Sequence, residues 1–309
     1  MSGFVNAVMD QATRDAHAVI ITKFEQGLAS PSHKSDTMKL LELIEDIKID
    51  SEKGLVVVVS EEPNFQKRRG SFNQVFRPTS YSVDVKPDPQ SLIVAIDERS
   101  LRNDRYQVQA QFAENVGRAV AERRGVFCRQ NLRLGLTAKG PGGQTFWSTS
   151  QYVDPSKGAA GGTYSNKFAL ALNETNYETV YSAMQKTTRE DGETARGLSP
   201  THLLVAPNLR ATGRKIIGLP GNQGAEDNPN YDPAMKLVVI PELLDGEWVL
   251  ATNDGTTKPL GYGFTLPPQM RWIGGQITNA YETELIWKGE VEDAMVFIAP
   301  HKMFYSKAP

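Results

Sequence analysis

Four histidines, one cysteine and a few adjacent carboxylates are the side chains of this chain whose types could carry chemistry. His17, His33, His202 and His301 lie far apart and make neither an HxH nor an HExxH pair, the spacings that bring two imidazoles to one metal. His202 opens a short apolar run, where a structural role outweighs that of a ligand. Cys128 has Arg124 and Arg129 nearby, and guanidinium groups can lower a thiol pKa. Between Val126-Phe127 and Arg129, however, a small buried hydrophobe is the stronger reading. A single cysteine also excludes an intrachain disulfide and a cysteine-rich zinc site. Glu61-Glu62 and Glu190-Asp191 sit in polar, loop-like sequence rather than in the enclosed setting that tunes a general acid and base. Lys139–Gly143 and Gly158–Gly162 are glycine-rich but lack the Gly-Lys-Ser/Thr ending that cradles phosphate. No Gly-x-Ser-x-Gly elbow occurs. The expectation is no catalytic residue, no cofactor and no metal.

One basic run stands out, Lys67-Arg68-Arg69. It could meet acidic residues of a neighbouring chain, touch nucleic acid, or be a solvated loop tip. A net charge of −2 and a pI near 6.2 provide no general drive toward nucleic acid. The longest strongly apolar runs, Leu55–Val59 and Leu92–Ile96, fall well short of the ~20 residues of a membrane span. Asp10, Arg14 and Asp15 interrupt any apolar N-terminal run, so no secretory signal is read there. These features predict a soluble protein made and kept inside a cell, or inside an infected one.

The elements that would position these residues follow from periodicity. Val5, Val8, Met9, Ala12, Ala16, Val19, Ile20 and Phe24 predict a helix over about 6–26. After Ser30-Pro31-Ser32, Ser35 or Asp36 caps a second helix with Leu40, Leu43, Ile44 and Ile47 on one face. From Gly54 the texture becomes β, with strands at Leu55–Val59, Tyr81–Val85 and Leu92–Ile96, and a polar tip over 61–70 between the first two. A long helix is predicted over 105–124, striped by Phe112, Val116, Ala119 and Val120, with Glu114 and Arg118 as an i,i+4 pair. A glycine-rich stretch follows over 135–162. Then come a helix over 173–186, a buried strand over 203–206, a helix over 209–217, a polar insertion over 221–232 and a strand over 237–240. Alternation over 278–287 and an apolar run over 294–299 predict further strands.

The order of these parts, with Gly197-Leu-Ser-Pro-Thr-His-Leu-Leu-Val-Ala-Pro207, resembles the axial domain of tailed-bacteriophage major capsid proteins, and within them the Mu-like head-subunit pattern. The passage from Leu92–Ile96 through Asp97-Glu98 into the long helix is similar to the start of their spine helix. The resemblance implies an α+β, Hong Kong-type capsid fold. Its expected parts are an N-terminal arm (1–50), an extended β-hairpin loop (51–97), a peripheral domain with the spine helix (98–165 and 266–309) and an axial domain (166–265). It further implies a major capsid protein, not an enzyme, that self-assembles into pentamers and hexamers of an icosahedral phage head. The head would enclose double-stranded DNA without reading its sequence, and would assemble in the host cytoplasm. Scaffolding, portal and decoration proteins are implied partners. Lys67, Arg68, Arg69, Asn222, Asn228 and Tyr231 are the implied intersubunit contacts. A nanocompartment shell and an α/β enzyme with a pocket in the glycine-rich middle are the alternatives.

Overall fold

The computed structural model describes residues 11–29, 35–49, 55–59, 80–97, 108–218, 234–255, 257–279 and 282–309. Its helices are α1 (Gln11–Ala29), α2 (Ser35–Leu41), α3 (Val108–Asn131), α4 (Glu174–Lys186) and α5 (Arg210–Ile217). Its strands are β1 (Ile44–Lys48), β2 (Leu55–Val59), β3 (Ser80–Asp84), β4 (Asp88–Asp97), β5 (Gln151–Tyr152), β6 (Thr163–Tyr164) and β7 (Lys167–Phe168). They continue with β8 (His202–Val205), β9 (Lys236–Val239), β10 (Glu247–Ala251), β11 (Leu260–Asn279), β12 (Glu282–Phe297) and β13 (Met303–Lys307). The chain divides into two compact units. The first comprises Met1–Lys34, Pro87–Phe127 and Phe264–Ala294; the second comprises Ser35–Lys86, Cys128–Gly263 and Met295–Pro309.

In the first unit β4 runs antiparallel to β12, from Asp97 opposite Glu284 to Asp88 opposite Asp293, and β11 lies on the other side of β12. Val94, Ile96 and Trp287 form an apolar face with Ala113 and Val116 of α3 and Ile20 of α1. Two glycines set how closely the helices approach. A Cβ on Gly27 would lie 2.1 Å from the carbonyl oxygen of Glu114, and one on Gly117 would lie 2.2 Å from that of Phe24. The two backbones are therefore in direct contact. Asp293, 1% exposed, is held by Arg123, whose Nε and Nη2 donate at 3.0 and 3.2 Å. The expected Glu114–Arg118 pair forms at 3.1 Å.

The second unit is built on a five-stranded sheet in the order β7-β13-β10-β8-β9. β10 is buried at every residue and pairs antiparallel with both β8 and β13; β9 lies parallel to β8 and β7 parallel to β13. Alternation sorts its side chains by face. Leu203, Val205, Leu237, Trp248, Leu250 and Phe304 pack with Tyr177, Val180 and Met184 of α4 and Ile216 and Ile217 of α5. Asn173 caps α4 by accepting the Asn176 N–H at 2.8 Å, and Gly218 ends α5 at φ +63°, a left-handed conformation that favours glycine. On the other face Tyr305 stacks on Trp147 at 4.9 Å, and Phe146 packs on Phe297. β2 and β3 pair antiparallel from Leu55 opposite Asp84 to Val59 opposite Ser80, the expected hairpin; the tip over 61–70 lies outside the described residues.

Three expectations are corrected. The long helix runs to Asn131 rather than ending near 124, because Phe127, Cys128 and Leu132 extend its buried stripe. The second helix stops at Leu41. Ile44 to Lys48 forms β1, and Ile47 and Ile49 fit against Gly261 and Gly263, where a Cβ would fall 2.6 and 2.4 Å from their methyl groups. The alternation over 278–287 is not one strand but the end of β11 and the start of β12.

Candidate functional site

Among the described residues, those singled out for chemistry do not converge; His33, Glu61, Glu62 and the side chain of His17 lie outside the described residues. Cys128 is fully buried in α3. His202 and His301 belong to separate polar clusters. His301 faces Arg196 and Lys302, and burial, reinforced by those charges, holds its imidazole well below the usual histidine range. Among the described residues no group of three or more His, Cys, Asp or Glu could hold a metal ion, and no helix is long and apolar enough to cross a membrane. Lys67, Arg68, Arg69, Asn222, Asn228 and Tyr231 all lie outside the described residues.

What the second unit does contain is a set of buried polar ties between segments distant in sequence. Glu247, which is fully buried, accepts from Arg133 Nε at 3.0 Å and Nη2 at 3.3 Å, from Tyr305 Oη at 2.9 Å and from the Leu244 N–H at 2.9 Å. Burial, with the bond to Glu247 and its charge, pushes the Tyr305 phenol up. Lys302, 4% exposed, donates to Asp254 and to the Thr257 carbonyl, both at 2.7 Å. Asn166 donates to the carbonyls of Phe146 and Pro300 at 2.8 and 2.9 Å. Such groups tolerate burial because they are hydrogen-bonded. They fix geometry; none presents an activated nucleophile to solvent.

One tie fastens the strap formed by residues 35–49. Leu40, Leu43 and Ile44 are fully buried, and Lys39 Nζ donates to the Leu237 carbonyl of edge strand β9 at 3.1 Å. Glu42 takes Lys236 Nζ at 2.5 Å, its backbone carbonyl accepts from Asn253 Nδ2 at 3.0 Å, and its carboxylate lies 3.3 Å from His202 Nε2. His202 Nδ1 meets Thr201 Oγ1 at 2.8 Å. Burial lowers the His202 pKa; Lys236 and Lys39 act the same way, against the pull of Glu42. Burial alone would raise Glu42, but Lys236 and His202 outweigh it and leave it below 4.5. Both depressions make the strap acid-sensitive. Its full hold is present above pH 6.5, weakens as pH falls through the His202 value, and weakens again as Glu42 takes up a proton below 4.5. His202→Gln should remove the first step and leave the second. Hydrogen exchange of residues 35–49 against pH reads this directly.

In the first unit, Ile20, Phe24, Leu28, Val94, Val116 and Trp287 line an apolar cavity of about 340 Å³ beneath α1. Val19 and Ile21 on α1, and Phe112 on α3, remain exposed at 52%, 36% and 45%.

The sequence over residues 80–290 matches the family model of the phage capsid protein. The chain belongs to the phage capsid protein family. No curated protein matches it. Among solved structures, the capsid protein of bacteriophage JBD30 is 14% identical, with 68% of this chain and 90% of that one aligned at a TM-score of 0.53. The JBD30 procapsid is likewise 14% identical over 97% and 77% of the two chains, at 0.51. The capsid of a native GTA particle aligns over 90% of this chain and 92% of its own at 8% identity and 0.51. At these identities the likeness is one of fold, and the expected Hong Kong-type capsid fold is borne out. The capsid protein is thus an α+β shell subunit whose buried polar ties serve architecture.

Proposed function

We propose that this capsid protein assembles into pentamers and hexamers of an icosahedral phage head that encloses double-stranded DNA. The observation that carries the reading is the family match across 80–290, which takes in β3, β4, the whole of α3 and the sheet strands β8 to β10. In this reading residues 1–50 act as an arm, 51–97 as a hairpin reaching a neighbour, 98–165 with 266–309 as a peripheral domain, and 166–265 as an axial domain around the five- and six-fold axes. Lys67, Arg68 and Arg69 at the hairpin tip contact acidic residues of the adjacent subunit. Asn222, Asn228 and Tyr231 line the axial contacts. The net charge of −2 suits enclosure of DNA rather than a phosphate-gripping surface. A decoration partner is supported by a JBD30 capsid decorated with minor capsid protein trimers, 14% identical at a TM-score of 0.50 over 70% of this chain and 93% of that one. Scaffolding and portal proteins complete the partner set, assembly takes place in the host cytoplasm, and the protein carries no catalytic role.

The test is deletion of residues 61–70. The subunit should keep its circular-dichroism spectrum and melting temperature, while closed shells seen by negative-stain electron microscopy fall at least tenfold. Normal shells from the deletion would sink the role given to the hairpin. A wild-type protein that never forms rings or shells, even with its neighbouring genes co-expressed, would sink the assembly itself.

A further inference from the structure

The dipeptide Asp-Gly occurs at Asp191-Gly192, Asp245-Gly246 and Asp254-Gly255, all in the second unit. The pair is chemically labile because glycine has no side chain to shield its amide nitrogen, which can attack the preceding aspartate side chain. All three glycines have a left-handed backbone, with φ of +76°, +81° and +79°. Conformation at glycine therefore does not separate the three pairs. The hydrogen bonds around them do.

At the first pair both reacting groups are held. The Gly192 N–H donates to the Arg189 carbonyl at 2.9 Å, and Asp191 Oδ1 accepts from the Glu193 and Thr194 N–H groups, both at 2.9 Å. At the last pair the Gly255 N–H donates to Asn253 Oδ1 at 3.2 Å, and Asp254 Oδ1 takes Lys302 Nζ at 2.7 Å. The middle pair differs. Asp245 is exposed, and among the described residues neither its carboxyl group nor the Gly246 N–H has a hydrogen-bond or ion-pair partner. The pair lies in the turn between β9 and β10. That turn is closed by the Glu247 N–H on the Leu244 carbonyl at 3.0 Å and by the Leu244 N–H on Glu247 Oε2 at 2.9 Å.

We propose that Asp245-Gly246 is a site of spontaneous backbone isomerisation in the folded protein, at which Asp245 becomes isoaspartate. The Gly246 nitrogen bonds to Asp245 Cγ, and its hydrogen leaves with the hydroxyl of the protonated carboxyl as water. The product is a cyclic imide. Water then adds back at one of the two imide carbonyls. Breaking the bond from nitrogen to Cγ restores aspartate; breaking the bond to the main-chain carbonyl carbon leaves the chain running through Cγ. The net change is an isomerisation, with water the only co-reactant. It puts one more carbon into the backbone between Leu244 and Glu247, so the two bonds that close the turn no longer fit. The strain passes to the buried carboxylate that Arg133 and Tyr305 hold. The other two pairs are spared for as long as the chain stays folded.

The test is incubation of the full-length chain at pH 6 and 37 °C for several weeks, folded and in denaturing guanidinium chloride. Electron-transfer fragmentation of proteolytic peptides locates isoaspartate, because it cleaves through the extra backbone carbon. In the denatured chain the three pairs should react to a similar extent. In the folded chain isoaspartate at 245 should exceed that at 191 and 254 several-fold. No isoaspartate at 245 in the folded chain, or equal amounts at the three pairs, would overturn the proposal. Hydrogen exchange over 244–251 should rise in the aged wild type and not in Asp245→Glu aged in parallel, since the longer side chain closes the ring far more slowly. Unchanged exchange in the aged wild type would overturn the coupling to Glu247.

Discussion

Gly117→Ala should loosen the full-length subunit yet stabilise a chain that lacks residues 1–34. In an isolated helix, replacing an interior glycine by alanine gains about 1 kcal/mol, because glycine gives up more backbone freedom on folding. In the intact protein the new methyl carbon would sit 2.2 Å from the Phe24 carbonyl oxygen and 3.1 Å from the Leu28 nitrogen. Both are backbone atoms, which cannot swing aside as a side chain does. α1 must lift, and overpacking of this kind costs about 1–3 kcal/mol. The lift also opens the apolar contact of Ile20 and Phe24 with Val94, Val116 and Trp287. Hydrogen exchange over 18–29 should rise several-fold while β8 and β10 in the second unit stay protected. Gly27→Ala, which meets the Glu114 carbonyl at 2.1 Å, should act the same way. Equal stabilisation of the long and short chains by Gly117→Ala would show that the helices do not touch as described.

Arg133→Met should be the most damaging single change in the second unit, at about 3 kcal/mol. It removes the bidentate partner of Glu247, a carboxylate with no exposed surface, and leaves that charge with Tyr305 Oη and the Leu244 N–H alone. Breaking a buried pair from one side typically costs ~3–5 kcal/mol. The lower end applies because the Arg133 side chain is 36% exposed and water reaches it. Replacing both partners with apolar residues avoids the stranded charge. Arg133→Met with Glu247→Leu should therefore recover more than half of the loss, a non-additivity that a double-mutant cycle on melting temperature would register. Additive losses would mean that the pair is not coupled.

How much of this was legible in the sequence depended on whether a pattern was local. The Asn173-capped helix, the Leu203–Val205 and Leu237–Val239 strands and the hairpin strands carry their own periodicity and breakers, and all form where expected. The motif at Gly197–Pro207 and the strand leading to the long helix pointed to the capsid family, which the match over 80–290 bears out. β10 and β13 went unread because Trp248-Val-Leu-Ala251 and Met303-Phe-Tyr305 are short apolar runs without alternation, as befits strands enclosed on both faces. Ile44 to Lys48 resembled the end of a helix, since only a distant partner, Gly261 and Gly263, makes it a strand. The Glu42–His202 and Tyr81–Asp154 contacts join residues many tens of positions apart, and nothing in the spacing announces them. Glu190 in particular was read as solvated, whereas it lies half-buried beside a second carboxylate.

The strand order of the second unit makes its stability depend on residues far along the chain. β13 is not appended to the sheet; it lies inside it, between β10 and β7, and supplies Phe304 to one face and Tyr305 to the other. Every earlier strand of that sheet leaves the ribosome before Met303 is translated, and β10 waits with one edge unpaired. A polypeptide cut short anywhere upstream lacks the Tyr305 bond to Glu247 and the ring stacked on Trp147. Limited proteolysis should therefore cut a chain that stops before Met303 faster than one that contains β13, because one edge of buried β10 is then open.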